Sequence, residues 1–146
     1  MKIKNILFRT LQIIMLVLVF SACEKTSAPG VLETPKSLDG DWKVIKVLQN
    51  TIDITSELDL TPFVIKFTGD TYTLQNQTVP FIVSKNGKWN FNNPENPFSL
   101  YFTPEGAAAP VKSELAFPIV GDNRQVTITF DAGCNRNIYQ YTLAKP

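Results

Sequence analysis

The side chains of this chain that could do chemistry are carboxylates and two cysteines, since the sequence has no histidine. General acid–base catalysis at neutral pH usually needs histidine, or carboxylates held close together. Nucleophile-elbow, phosphate-loop and zinc-ligand motifs are also absent from the sequence. The aspartates stand singly at turns and strand starts, where aspartate commonly hydrogen-bonds the local backbone: Asp39, Asp41, Asp70, Asp122 and Asp131. The sequence therefore predicts a non-catalytic protein without a cofactor.

Three further carboxylates, Asp53, Glu57 and Asp59, lie close enough along the chain to suggest calcium. Their spacing does not match the EF-hand pattern, so a solvated loop is the preferred interpretation and no metal site is predicted. The same stretch interrupts the pattern of the rest of the domain, and residues 55–58 are predicted to form one helical turn.

Cys23 follows a basic N-terminus and an almost uninterrupted apolar run over residues 11–20, with Ser21 and Ala22 directly before it. Basic residues favour the cytoplasmic side of a membrane. The apolar run is too short for a transmembrane helix, which needs about 20 apolar residues. The segment resembles a bacterial lipoprotein signal peptide. This resemblance implies that residues 1–22 are removed and that Cys23 is acylated, with palmitate as a typical chain.

A lipid anchor implies a protein of the cell envelope, held at a membrane and most simply at the outer membrane, on its periplasmic or its surface face. Residues 23–37, rich in Thr, Ser, Pro and Gly, are predicted to be a flexible tether, and residues 38–146 to be the folded domain. Loss of the signal leaves 11 basic and 13 acidic residues, a net charge of −2. This near-neutral chain argues against nucleic acid as a partner.

The second cysteine, Cys134, has no partner within the chain once Cys23 is acylated. The preferred interpretation is a small, shielded residue in the turn over residues 131–135. The alternative is a reactive thiol or an intermolecular disulfide, although the chain has no histidine to activate it.

From Leu38 onward, apolar and polar residues alternate with period two, and turn residues interrupt them about every 8–12 residues. The pattern predicts an all-β fold of eight or nine short antiparallel strands, in an up-and-down barrel or a sandwich. An Asn86-Gly87 turn is predicted to join a strand at Phe81 and Val83 to the next one. Pro118, inside a strand predicted over residues 111–119, indicates a bulge or an edge, so closure of the barrel is left open.

A Gly-x-Trp tripeptide opens this domain at Gly40 and Trp42, and the same spacing recurs with Trp89. Gly-x-Trp on the first strand is the lipocalin signature. With the signal, the tether and the strand pattern, the chain resembles the lipocalin-like lipoproteins of Bacteroidota, many of which have no assigned function. The resemblance implies a small barrel of about eight strands with Trp42 packed across its closed base. A basic residue should stack on that ring, and Arg136 and Lys145 are the candidates.

Aromatic residues dominate the predicted inward faces, and most of them are expected to be core. Those near one open end, Tyr101, Tyr139 and Tyr141, are the candidates to line a mouth for an apolar or carbohydrate ligand. The full inward set is Phe63, Phe67, Tyr72, Trp89, Phe91, Phe98, Phe102, Phe117, Phe130, Tyr139 and Tyr141.

Two functions are compatible with these residues. A binding module for a small ligand predicts an internal cavity of roughly 300 Å³ or more, open at one end. A structural or interaction lipoprotein that binds an envelope protein predicts a packed interior and an exposed apolar patch, at residues 107–110 and at Phe81 and Ile82. The first is preferred on the family resemblance.

Overall fold

A computed structural model describes residues 34–121, 123–133 and 137–146. In this part of the chain the only helical element is a 3-10 turn at Thr55–Glu57, which confirms the predicted helical turn. The strands are β1 (Gly40–Gln49), β2 (Ile52–Asp53), β3 (Val64–Thr68), β4 (Thr71–Gln75), β5 (Gly87–Phe91), β6 (Ser99–Pro104), β7 (Val111–Ala116), β8 (Ile119–Val120), β9 (Asn123–Arg124), β10 (Val126–Asp131) and β11 (Ile138–Ala144).

The eight long strands form one antiparallel sheet in the order β11-β10-β7-β6-β5-β4-β3-β1, and β1 also pairs with β11. The sheet therefore closes on itself, which confirms the predicted all-β, up-and-down barrel of about eight strands. Each neighbouring pair of these eight strands is hydrogen-bonded, so the sheet is not left open at Pro118, although β7 and β10 pair over only three positions. Strand β7 ends before this proline, which has no N–H to give to a ladder. Strands β8 and β9 then pair separately as a short ribbon.

An irregularity in β1 decides which of its residues face the interior. The pairing with β11 shifts between Val44 and Lys46, so Ile45 is the extra residue of a β-bulge and is 45% exposed. Trp42 and Val44 are buried before the bulge and Val47 after it, three positions on rather than two. The bulge resets the alternation and brings the later part of β1 back to the core.

The predicted strand at Phe81 and Val83 is wrong, because residues 76–86 form a loop between β4 and β5. Asn86 closes this loop by accepting the Leu74 N–H on its side-chain oxygen, at 2.9 Å. Gly87 does not adopt a positive φ. Glycine is needed at this position because the backbones of β5 and β6 approach each other closely. A Cβ at Gly87 would lie 2.8 Å from the Cα of Pro104.

Most of the aromatic residues predicted to face inward are in the core. Phe98 is the exception, with 64% of its surface exposed. Strand β6 begins only at the next residue, and the Asn92 side chain accepts the N–H groups of both Phe98 and Ser99. Phe98 thus lies one residue before the strand, in the loop that Asn92 caps, and its ring is exposed there. The remaining ten are buried or packed against the core: Phe63, Phe67, Tyr72, Trp89, Phe91, Phe102, Phe117, Phe130, Tyr139 and Tyr141.

Candidate functional site

One end of the barrel, called the base here, is closed around Trp42. The ring is 3% exposed, and its Nε1 donates to the carbonyl of Leu38 at 2.6 Å. Lys145 places its ammonium 5.3 Å from the ring centroid and donates to the carbonyl of Asp39 at 2.8 Å. Of the two candidates for the stacking cation, Lys145 therefore takes the place over the ring. Arg136 lies outside the described residues.

Gly40 and Asp39 shape the entry of the chain into this base. Gly40 has a φ of +114°, which a residue with a Cβ rarely adopts. The Asp39 carboxylate accepts the Ser37 hydroxyl at 2.7 Å and the Gly69 N–H at 2.8 Å. The Ser37 hydroxyl and the Gly69 N–H lower the pKa of Asp39. The backbone group that this carboxylate binds is thirty residues away in the sequence, so Asp39 joins two segments at the base rather than holding only local backbone, the role predicted for it.

Trp89 lies in the core toward the base, in edge-to-face contact with Phe67 at 5.3 Å and Phe91 at 4.9 Å between ring centroids. Its Nε1 is buried and has no hydrogen-bond partner among the described residues. The ring of Phe91 in turn contacts the ring of Phe117, and the two centroids are 6.1 Å apart. Trp89 therefore packs as a core residue.

The opposite end, the mouth, is covered by residues 76–86, called the plug loop here. Val79 and Val83 in this loop are buried although neither lies in a strand. Between them, Phe81 projects among rings contributed by the barrel strands and their ends. Its centroid lies 5.7 Å from Phe63, 5.7 Å from Phe102, 5.8 Å from Phe130 and 6.0 Å from Tyr141.

Hydrogen bonds from the barrel hold the plug loop in place. The hydroxyl of Tyr72 donates to the carbonyl of Lys85 at 2.8 Å, and the hydroxyl of Tyr141 donates to the carbonyl of Pro80. Thr78, in the loop itself, donates to the carbonyl of Asp59 at 2.8 Å. The loop is thus attached near both of its ends.

The three tyrosines predicted to line the mouth are not brought together. Tyr139 and Tyr141 share the inner face of β11, with centroids 6.1 Å apart, and Tyr139 stacks on Phe130 at 5.8 Å. Tyr101 lies between two fully buried residues of β6 and is only half-buried, which places it on the outer face. Sequence reasoning missed Phe81 as a mouth residue. The sequence feature that could have indicated it is the apolar run from Val79 to Val83, in which apolar and polar residues do not alternate as they do in the barrel strands.

A cavity of about 350 Å³ opens in the barrel wall, between β7 and β10. The pairing of these strands covers only three residue pairs and ends at Glu114 and Thr129. Beyond that point no pairing is described, and the cavity lies in the space between the unpaired ends of the two strands, called the gap here. Its lining is Lys112, Ser113, Glu114, Thr129, Phe130, Asp131 and Ile138.

The carboxylates considered for calcium are engaged locally. Asp53 accepts both the N–H and the hydroxyl of Thr55, and these bonds lower the pKa of Asp53. Asp59 accepts the N–H of Thr61 at 3.2 Å. In the described ranges no three His, Cys, Asp or Glu residues are grouped so as to hold a metal ion. The same ranges contain no helix long and apolar enough to cross a membrane.

Burial of the two tyrosines that hold the plug loop makes the stability of the barrel sensitive to alkaline pH. Burial, with a contribution from Glu105, raises the pKa of Tyr72 to about 12, and burial also raises the pKa of Tyr141. Unfolded tyrosine ionises near pH 10, so the folded state retains these protons longer. The stabilisation is complete below about pH 10 and is lost as the pH rises from there through about 12.

We therefore expect the urea midpoint to fall over that range, and the fall to be smaller in Tyr72→Phe. The comparison with this variant matters because lysines also titrate there. Equal falls in the two proteins would contradict a role for Tyr72.

The comparisons with known proteins identify a family for this chain. No curated protein and no solved structure matches the chain. The lipocalin resemblance therefore continues to rest on Gly40, Trp42 and the strand pattern. A family model described as a domain of unknown function, DUF5004, matches residues 21–144, which include every barrel strand. The chain belongs to the DUF5004 family.

Proposed function

We propose that this protein is a lipid-anchored, non-catalytic binding module of the cell envelope, which takes a small apolar ligand at the mouth of its barrel. The observation that carries the proposal is the position of Phe81. A loop outside the sheet, rather than a strand, places an apolar ring among Phe63, Phe102, Phe130 and Tyr141. Displacement of this loop would leave a ring-lined space in the mouth of a closed barrel.

The chemistry of that space favours an apolar ligand over a glycan. The four rings around Phe81 are three phenylalanines and one tyrosine, so three of them offer a ligand no hydrogen-bonding group. A glycan would bury hydroxyl groups without partners, at a cost of about 1–3 kcal/mol each. An apolar ligand would instead replace the contacts that Phe81 makes.

The membrane anchor in this proposal depends on Cys23, which lies outside the described residues. Its support is the sequence: a basic start, a short apolar run and two small residues before the cysteine. The family match begins at residue 21, so it includes Cys23 and the tether.

A second candidate function, an interaction lipoprotein that binds an envelope protein, is supported by the filled interior. In the structure the mouth is closed by the plug loop, and the 350 Å³ cavity lies in the wall rather than in the mouth. The apolar patch predicted for this function at Phe81 and Ile82 is wrong, because both residues are half-buried against the core. Residues 107–110 are exposed, as that function predicts.

Native mass spectrometry of the full chain, purified in detergent from its own membrane, tests both parts of the proposal. We expect a protein that has lost residues 1–22, carries acyl chains and retains a small apolar molecule. Cys23→Ser should lack the acyl chains and appear in the soluble fraction. A lipidated chain without any bound molecule, recovered with a protein partner, would contradict the ligand and favour the second candidate.

A further inference from the structure

The barrel wall has a gap whose backbone edges are open. Strands β7 and β10 pair from Ala116 with Thr127 to Glu114 with Thr129, and no pair continues beyond Glu114 among the described residues. Strand β7 nevertheless remains paired with β6 as far as Val111. Strand β10 likewise remains paired with β11 as far as Asp131. Each strand therefore has one satisfied side and one side that faces the gap.

The direction of the backbone groups on β7 follows from one hydrogen bond. The N–H of Leu115 donates to the carbonyl of Phe98, the residue just before β6, at 3.0 Å. Backbone groups of alternate residues in an antiparallel strand point to opposite neighbours. The N–H and C=O of Lys112, three residues before Leu115, therefore point away from β6 and into the gap.

The same reasoning applies to β10. The N–H of Ala132 donates to the carbonyl of Asn137, on the β11 side, at 3.2 Å. The N–H and C=O of Asp131, one residue earlier, therefore point toward β7. Lys112 and Asp131 thus present a donor and an acceptor each to one cavity of about 350 Å³.

The side chains around the gap determine which strand would fit. Glu114 and Asp131 contribute two carboxylates and Lys112 one ammonium, all exposed. Ile138, 50% exposed, and Val111, 39% exposed, provide apolar surface at the same end of the barrel. Because the two carboxylates outnumber the ammonium and lie beside apolar surface, a segment in which basic and apolar residues alternate would fit best.

We propose that the gap between β7 and β10 is a binding site for an extended, basic and apolar peptide segment, which adds as a short strand along Lys112. Main-chain hydrogen bonds provide affinity in such strand addition, and side-chain pockets provide specificity. The occupant of this site pairs with backbone in the wall and leaves the plug loop in place, although Phe130 lines both the gap and the mouth. The site gives the barrel a protein partner whether or not the mouth takes a small ligand.

The probe is a short end-blocked peptide of alternating lysine and valine, titrated into the full chain in detergent and followed by NMR of the backbone amides. We expect saturable shifts at residues 112–114 and 129–131. The same peptide with every backbone nitrogen methylated, and a glutamate–valine peptide, should each bind about tenfold weaker or not at all, because the first lacks N–H donors on both edges and the second has the wrong charge.

Lys112→Pro removes the N–H that faces the gap, at an edge position where proline is tolerated. Lys112→Thr is the matched control, since it removes the same side chain and retains the N–H. The proline variant should bind the peptide about tenfold more weakly than the threonine variant, with circular dichroism confirming that both are folded. Absence of saturable shifts, shifts confined to residues 76–86, or equal binding of the N-methylated peptide would each overturn the proposal.

Discussion

Replacement of Phe81 by alanine is expected to lower the free energy of unfolding of the barrel by about 3 kcal/mol. The loss combines the transfer free energy of the ring with the cavity that it leaves, and Phe→Ala substitutions in cores cost about 3–5 kcal/mol. Phe81 is only partly buried, which places it at the lower end of this range. Urea unfolding followed by circular dichroism measures the change, and we expect the slope of the transition to be unchanged.

Phe98 provides a matched control for Phe81. It is the same residue type in the same domain, but 64% of its surface is exposed. Phe98→Ala should therefore change the free energy of unfolding by less than about 0.5 kcal/mol. If both variants lose the same small amount, the ring of Phe81 does not fill the mouth and the proposed ligand space is lost with it.

The Phe81 variant also tests the plug itself. Without this ring the loop retains the hydrogen bonds from Tyr72 and Tyr141 but loses its main apolar contact. We expect the amides of residues 76–86 to exchange with solvent faster, while those of β1 and β11 change only as far as global stability requires. Uniform acceleration throughout the barrel would show that the loop opens only on global unfolding.

Replacement of Trp42 by alanine is expected to cost about 4 kcal/mol, the largest effect of a single side chain at the base. The ring is buried, and its loss leaves a large cavity between the first strand and Lys145. The carbonyl of Leu38 also loses its donor, which adds to the cost. The same urea titration measures the change.

Two further variants separate the contributions at the base. Trp42→Phe retains an aromatic ring and removes the donor, so it should cost about 1–3 kcal/mol. Lys145→Met removes the cation and should cost about 0.5–2 kcal/mol, and much of that cost should vanish in the Trp42→Phe background, where cation–π attraction is weaker. Additive effects of the two substitutions would contradict an interaction between the ammonium and the indole ring.

The sequence by itself determined the class of fold and the base of the barrel. Period-two alternation is a local property of strands, since successive side chains face opposite sides of a sheet. It therefore predicted an all-β fold, as a barrel or a sandwich, and the resemblance to lipocalins through Gly-x-Trp implied the barrel and the residue that closes its base. The role of Asp39 was only partly local, because its carboxylate accepts the Ser37 hydroxyl two residues away and the Gly69 N–H thirty residues away.

Only the tertiary structure decided the mouth and the gap. A buried loop and a buried strand both contain apolar residues, so the run around Phe81 is compatible with either, and only contacts with distant strands distinguish them. The bulge at Ile45 and the outer position of Tyr101 depend on register, which is set between strands rather than within one. The exposure of Phe98 depends on where β6 begins. The end of the pairing between β7 and β10 at Glu114 and Thr129 is likewise a property of two strands. For this reason the base was predictable from a few neighbouring residues, and both candidate binding sites were not.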